Sequence, residues 1–232
     1  SRTFPIIKTM EIKWSRDEFT NNLNRFYGQK LPKNSFKEKA CGIGPFTLVV
    51  VEDPCPEYKG RMTTRGIEES VNVHTFDKKM LYREWTKLPS GNNCLHGTNS
   101  PEETEHDLTL LTGYSPADFI NNLDIIPDTI TGDVVGSKGW KDLKELFYVL
   151  NHTVRYVFLR NFEGMPDCFH VDGHDDIDLL TDDFENIVRI SNSKPVFKQK
   201  YRVQCICPVA EHDVQMDFRY IGDDYYDQKW QE

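Results

Sequence analysis

Residues 174–180 read His174-Asp175-Asp176-Ile177-Asp178-Leu179-Leu180, a run in which acidic and apolar residues alternate. Alternation of this kind is typical of a β-strand, because residues two apart point to the same face of a sheet. We therefore expect a strand over Asp176–Leu180 with Asp176 and Asp178 projecting together. Carboxylate oxygens are hard ligands that Mg²⁺ prefers, and the pair predicts a site for one or two magnesium ions.

A third carboxylate belongs to the last strand of the same half of the chain. Asp217 lies within the alternating run Asp213–Tyr220, which together with Lys200–Cys207 predicts a closing β-hairpin. Three carboxylates on neighbouring strands suit two-metal nucleotidyl transfer, in which one metal activates the attacking hydroxyl and the other neutralises the leaving pyrophosphate. The alternative is a solvated acidic turn between His174 and Asp183.

The remaining elements of this half follow from apolar periodicity and turn signals. They are a helix over Trp140–Asn151, a short strand over Tyr156–Leu159 and a helix over Asp183–Ile190.

Residues 138–225 resemble the nucleotidyltransferase superfamily related to DNA polymerase β, where Asp-x-Asp on one strand is followed by a single Asp on a later strand. That resemblance implies metal ligation and catalysis by Asp176, Asp178 and Asp217. The family's Gly-Gly or Gly-Ser turn is replaced here by Arg160-Asn161, and Arg160 could grip the phosphates directly. Glycosyltransferases also use Asp-x-Asp to hold a metal and a sugar nucleotide.

The first half of the chain centres on a histidine that precedes a strongly signalled helix. Ser100 is a good N-cap, Pro101 suits the first helical position, and Glu103 stands at the capping-box position. The helix should end at Gly113. Because helix N-termini attract phosphate, His96 just before this helix is a candidate nucleophile.

Three further side chains fit the chemistry of His96. Asp107, on the following helix, could hold one imidazole nitrogen and leave the other as the nucleophile. Arg83 could grip phosphate oxygens at two points, and Lys8 would add a second phosphate-binding charge. The alternative is that His96 is only a cap or a surface residue.

Residues 1–120 resemble nucleoside diphosphate kinases. Residues 91–100 are similar to that family's Gly-x-Asn-x-x-His-Gly-Ser-Asp-Ser signature, with Thr98 and Asn99 in place of Ser and Asp. The resemblance implies a ferredoxin-like βαββαβ core and a phosphohistidine that passes a phosphoryl group between nucleotides. The phosphate-binding residues that it implies are Lys8, Arg83, Asn93 and Arg61, with Arg65 competing for the role of Arg61.

The rest of the first half gives weaker signals. We expect a strand over Thr3–Ile7 with Lys8 at its end, a helix from an N-cap at Ser15 toward Tyr27, and a buried strand over Phe46–Val51. Residues 53–75 are expected to form loop with short helix. Pro and Gly recur between Asn121 and Gly139, which predicts a domain boundary there.

Composition limits the function. The chain has 232 residues, with 37 acidic and 28 basic side chains and a net charge of −9. This charge argues against charge-driven binding to nucleic acids or anionic membranes, whereas a metal could still mediate between carboxylates and phosphates. The longest apolar run is too short to span a bilayer. The six scattered cysteines suggest free thiols and a cytoplasmic protein. Aromatic residues close to Glu232 lead us to expect that more of the protein follows this sequence.

Together these patterns predict an α+β protein with two domains, residues 1–125 and 126–232. The leading hypothesis is a nucleotide-dependent transferase that uses Mg²⁺ and a nucleoside di- or triphosphate such as ATP, with an acceptor that the sequence does not reveal. The alternatives are a nucleoside diphosphate kinase with an accessory second domain, and a catalytically silent nucleotide-binding or assembly module. A homo-oligomer is left open.

Overall fold

The computed structural model describes residues 4–63, 66–86, 95–160, 162–167, 176–198, 203–225 and 229. The chain divides into two compact units. The first comprises residues 1–23 and 31–133, and the second comprises residues 24–30 and 134–232. Both contain helices and sheets, and the architecture is α+β.

A three-stranded sheet and a separate hairpin form the strands of the first unit. The central strand β1 (Ile6–Lys13) pairs antiparallel with β2 (Phe46–Val51) and parallel with β5 (Thr129–Thr131). The hairpin joins β3 (Tyr58–Met62) to β4 (Glu68–Asn72). The helices that begin in this unit are α1 (Phe19–Phe26), α2 (Phe36–Cys41), α3 (Val73–Trp85), α4 (Pro101–Thr112) and α5 (Pro116–Asn121). The last three residues of α1 belong to the second unit.

Helix α4 begins and ends as the sequence predicts. The Ser100 side chain accepts a hydrogen bond from the Glu103 N–H at 3.2 Å, and Pro101 opens the first turn. Gly113 ends the helix with φ of +79°, a left-handed conformation that glycine adopts without steric cost. Leu108 of α4 packs with Met10, Phe119 and Ile126 in the core of this unit.

Four local expectations for this unit were wrong. β1 continues to Lys13, so Lys8 lies inside the strand. Ser15 is not a helix cap, because its N–H and hydroxyl bond the Asp133 carboxylate and α1 begins at Phe19. β2 is an edge strand with alternately exposed residues, and is therefore only half-buried. The hairpin β3–β4 occupies most of the segment 53–75, where loop and short helix were expected.

A five-stranded mixed sheet forms the second unit, in the order β6-β7-β10-β9-β8. β7 runs parallel to β10, and the other neighbours are antiparallel. The strands are β6 (Tyr156–Arg160), β7 (Ile177–Thr181), β8 (Lys194–Lys198), β9 (Val203–Val209) and β10 (His212–Tyr220), and the helices are α6 (Leu143–Thr153) and α7 (Phe184–Ile190). Strand β8 was not expected from the sequence; the other six elements lie where it predicts them.

The core of the second unit includes an arginine. Arg25 is 1 % exposed, and its guanidinium donates hydrogen bonds to the backbone carbonyls of Val134, Val135, Arg189 and Ile190. Burial lowers the pKa of Arg25 to about 10, because removal from water disfavours the charged form. These four bonds tie segments distant in sequence to one side chain.

Within the described part of the chain, none of the helices has the length and apolar character needed to cross a membrane.

Candidate functional site

Asp176, Asp178 and Asp217 come together at one end of the β7–β10 strand pair. Asp178 and Asp217 are direct partners in the parallel register, and Asp176 immediately precedes β7. One carboxylate oxygen from each residue lies within 4.8 Å of the others. Asp178 and Asp217 are buried, and Asp176 is partly buried. The sequence-predicted carboxylates therefore form one cluster, which we call the acidic cluster.

Arg160 from β6 completes this cluster with a positive charge. Its Nε donates to Asp178 Oδ2 at 2.6 Å, and its Nη2 donates to Asp178 Oδ1 at 3.1 Å. Nη2 also lies 3.8 Å from Asp176 Oδ2. The hydrogen bonds and charge of Asp178 raise the pKa of Arg160 above its usual range. Arg160 thus contacts two of the three carboxylates.

A register irregularity places Arg160 opposite Asp178. In the antiparallel pair β6–β7, Phe158 faces Leu179. A regular register would place Leu159 opposite Asp178, but the residue that faces Asp178 is Arg160. A bulge of this kind inserts one residue and redirects the side chain that follows. Without it, an apolar side chain would stand opposite Asp178.

A second arginine near the acidic cluster was not singled out from the sequence. Arg219 lies two residues after Asp217 on β10, so both side chains share a face. It is almost fully buried, forms an ion pair with Asp223 at 2.5 Å, and stacks its guanidinium 3.9 Å from the Tyr225 ring centroid. Its spacing from Asp217 was the signal that could have identified it.

In the first unit, His96 and Asp107 form the contact that the sequence predicts. His96 Nε2 lies 2.7 Å from Asp107 Oδ2. Because a carboxylate only accepts, Nε2 carries the proton of this bond and the lone pair of a neutral ring resides on Nδ1. An attack by the imidazole on phosphorus would therefore come from Nδ1.

Asp107 is shared with a second imidazole. His106 Nδ1 donates to Asp107 Oδ1 at 3.0 Å, and Glu103 Oε1 lies 3.9 Å from His96 Nε2. Burial by itself would raise the pKa of Asp107, but the hydrogen bonds and charges of His106 and His96 outweigh it, and the pKa is lowered. Asp107 therefore remains ionised while it orients His96.

Helix α3 holds the segment that carries His96. Arg83 donates from Nε to the Leu95 carbonyl at 3.1 Å. Lys79, one turn earlier, donates to the Gly97 carbonyl and to Asn99 Oδ1. Burial lowers the pKa of Lys79. The i,i+4 spacing of Lys79 and Arg83 was the sequence signal for this pair, of which only Arg83 was identified.

The other predicted phosphate-binding residues of the first unit have different contacts. Lys8 forms an ion pair with Asp128 at 3.0 Å. Arg61 is partly exposed, with its Nε 3.9 Å from Asp77 Oδ1. Arg65 and Asn93 lie outside the described residues.

Comparison with known proteins finds no matching family model, curated protein or solved structure. Function must therefore be inferred from the chemistry of the acidic cluster and of the His96–Asp107 pair. Acidic groups at protein surfaces are common without a metal, but two carboxylates of the acidic cluster are buried. The three carboxylates could hold a metal ion between them, and oxygen ligands are the kind that hard cations take.

Proposed function

We propose that the chain is a nucleotide-dependent transferase whose second unit performs Mg²⁺-assisted nucleotidyl transfer. The observation that supports this proposal most directly is the register that pairs Asp178 with Asp217. It brings one oxygen from each of the three carboxylates within 4.8 Å of the others. Three carboxylates at one strand end match the ligand requirement of two-metal phosphoryl chemistry.

In this proposal each side chain has a defined task. Asp176, Asp178 and Asp217 would hold the metal, which would supply positive charge to the attacking hydroxyl and to the leaving pyrophosphate. The acceptor's hydroxyl would give its proton to water as its oxygen bonds to the α-phosphorus. The bond from the α-phosphorus to the bridging oxygen would break, and pyrophosphate would leave with its electron pair. Arg160 stands beside the carboxylates and offers a guanidinium fork for phosphate oxygens.

We also propose the finer fold assignments as part of this function. In the second unit, the adjacency of β6, β7 and β10 supports a nucleotidyltransferase-like core, because it sets the Asp-x-Asp strand beside the strand of the third aspartate. In the first unit, the His96–Asp107 contact supports a nucleoside-diphosphate-kinase-like site. The described strands of that unit form a three-stranded sheet and a hairpin rather than one four-stranded ferredoxin-like sheet, so the support there comes from the site.

Pyrophosphate release tests the nucleotidyl transfer. The chain is incubated with Mg²⁺, each of the four common nucleoside triphosphates and a panel of hydroxyl acceptors, and pyrophosphate is measured. Asp178→Asn should lower the rate by at least about a hundredfold, because it removes a charged ligand of the reacting centre. Asp213→Asn, an exposed aspartate on the same strand as Asp217, should leave the rate unchanged. Equal loss in both variants would contradict the proposal.

A second candidate function is phosphoryl transfer through a phosphohistidine on His96. The 2.7 Å contact from Nε2 to Asp107 favours it, since it directs nucleophilic attack to Nδ1. We expect incubation with γ-³²P-ATP to give a label that is stable in base and labile in acid. The label should disappear in His96→Gln and persist in His212→Gln, which alters an exposed histidine.

Nucleotide binding tests the third hypothesis, a catalytically silent nucleotide-binding or assembly module. Failure to bind any nucleotide with Mg²⁺ by calorimetry would contradict both enzymatic proposals and leave an assembly module.

A further inference from the structure

We propose that Arg160 is an exchangeable partner of the acidic cluster. Its guanidinium competes with a divalent cation for Asp178 and, once released, binds the phosphates of the incoming nucleoside triphosphate. This inference rests on the nucleotidyl transfer proposed above and specifies how metal and nucleotide binding are linked at that site.

The geometry of the pair creates the competition. Arg160 engages both oxygens of Asp178, at 2.6 and 3.1 Å, and also approaches Asp176 at 3.8 Å. A metal ion bound by Asp176 and Asp178 would use the same two carboxylates that Arg160 contacts. Because the guanidinium is itself a cation at this place, metal ligation by Asp178 would bring two positive charges to the same carboxylate and weaken its hydrogen bonds with Arg160.

The distribution of burial determines which partner can leave. The side chains of Asp178 and Asp176 are 7 % and 13 % exposed, whereas that of Arg160 is 58 % exposed. Among the strands that the structure describes, β6 is also at the edge of its sheet. The carboxylates are therefore fixed, and the arginine can swing into solvent. Arg219 shows the opposite arrangement, since it is 3 % exposed and its ion pair with Asp223 is equally buried.

Charge balance gives the exchange its direction. The three carboxylates outnumber the single charge of Arg160, and the charge of Arg219 is balanced by its ion pair with Asp223. The acidic cluster therefore carries an excess of negative charge, which a divalent cation would neutralise. Once that cation is bound, the attraction between Arg160 and the carboxylates is weakened by like-charge repulsion. A triphosphate offers the displaced guanidinium a denser negative charge and oxygens that match its planar fork.

Mn²⁺ binding to the full chain without nucleotide provides the test, because its readout does not depend on activity. The free ion is measured by electron paramagnetic resonance. We expect Arg160→Gln to bind Mn²⁺ about tenfold more tightly than the wild type, because a competing charge-assisted contact is removed. With Mn²⁺ saturating, the same variant should bind a nonhydrolysable ATP analogue several-fold more weakly.

Two control variants isolate the effect. Arg160→Lys keeps the positive charge but loses the two-point contact, so its Mn²⁺ affinity should lie between those of the wild type and Arg160→Gln. Arg155→Gln removes the same charge from an 87 % exposed position near Asp182, and should leave Mn²⁺ affinity unchanged. Circular dichroism establishes that each variant is folded.

The outcomes distinguish this inference from the function on which it rests. If Mn²⁺ binding depends on Asp178 but is unchanged or weaker in Arg160→Gln, the exchange is wrong and the metal site stands. If neither the wild type nor Arg160→Gln binds Mn²⁺, both proposals are overturned.

Discussion

Asp178 and Asp217 are 39 residues apart in the sequence and directly opposite each other in the parallel pairing of β7 and β10. Both are buried, and a third carboxylate, Asp176, approaches them within 4.8 Å. Gathering like charges away from water costs folding free energy. This cost is expected where a binding function, rather than stability, determines the residues.

The first prediction concerns that cost. In the presence of a chelator, Asp217→Asn should raise the melting temperature by about 2–4 °C, corresponding to about 1 kcal/mol in a chain of this size. The reason is that a neutral side chain of the same shape relieves repulsion within the acidic cluster. Differential scanning calorimetry measures the change. Mg²⁺ should then stabilise the wild type more than the variant.

Asp213→Asn serves as the control, since it removes an exposed negative charge from the same strand. A lower melting temperature for Asp217→Asn than for this control would show that the carboxylate stabilises the fold.

The second prediction concerns the pH dependence of Asp107. Its pKa in the folded chain lies below its ordinary value of 3.8, so its contribution to stability is present above pH 3.8 and is lost as the pH falls through the folded pKa. We expect Asp107→Asn to be less stable than the wild type at pH 5, and the difference to shrink in stronger acid. Urea unfolding at a series of pH values measures it.

Asp124→Asn, an exposed substitution in the same unit, should show no such pH-dependent difference. If the two variants behave alike, the contacts of His96 and His106 with Asp107 contribute nothing to stability.

The third prediction concerns Arg25. Arg25→Met would remove one donor from each of four backbone carbonyls of the second unit, and those of Val134 and Arg189 would keep a second, backbone donor. We expect a loss of about 2–4 kcal/mol in the free energy of unfolding. Arg25→Lys should not restore it, because an ammonium group cannot span the four acceptors. Hydrogen exchange at residues 134–135 and 189–190 would report the loss locally. Arg16→Met, at an exposed position, should change neither quantity.

The fourth prediction concerns the thiols. Burial raises the pKa of Cys205 and Cys207 to about 12, whereas Cys41 and Cys55 are exposed. At pH 8, iodoacetamide should label Cys41 and Cys55 in the native chain, and Cys205 and Cys207 only after unfolding, because the thiolate is the reactive form. Peptide mass spectrometry assigns the labels.

The same shift predicts a loss of stability in alkali. Thiols of the unfolded chain ionise near pH 9, while those of the folded chain retain their protons to about pH 12. The contribution of these groups is therefore complete below pH 9 and is lost as the pH rises toward 12. Labelling of Cys205 in the native chain as fast as that of Cys55 would contradict both expectations.

Local sequence patterns predicted the elements whose signals are short in range. The alternation through Asp176–Leu180 and Asp213–Tyr220 indicated β7 and β10, and Ser100 and Gly113 marked the ends of α4. The contact of His96 with Asp107 was also predicted, because it joins a loop to the first turns of the helix that follows. Strand β8 was missed because Lys194–Lys198 is short and contains proline, which is disfavoured within strands.

The amino-acid sequence by itself therefore determined which residues carry charge, where polar and apolar residues alternate along a strand, and where α4 begins and ends. These features depend only on residues that are close together in the sequence. Only the tertiary structure decided that Asp178 faces Asp217 and that a bulge turns Arg160 toward Asp178. The physical reason is that strand order and register depend on the packing of the whole sheet. A shift of one residue in either pairing would send these side chains to the opposite face.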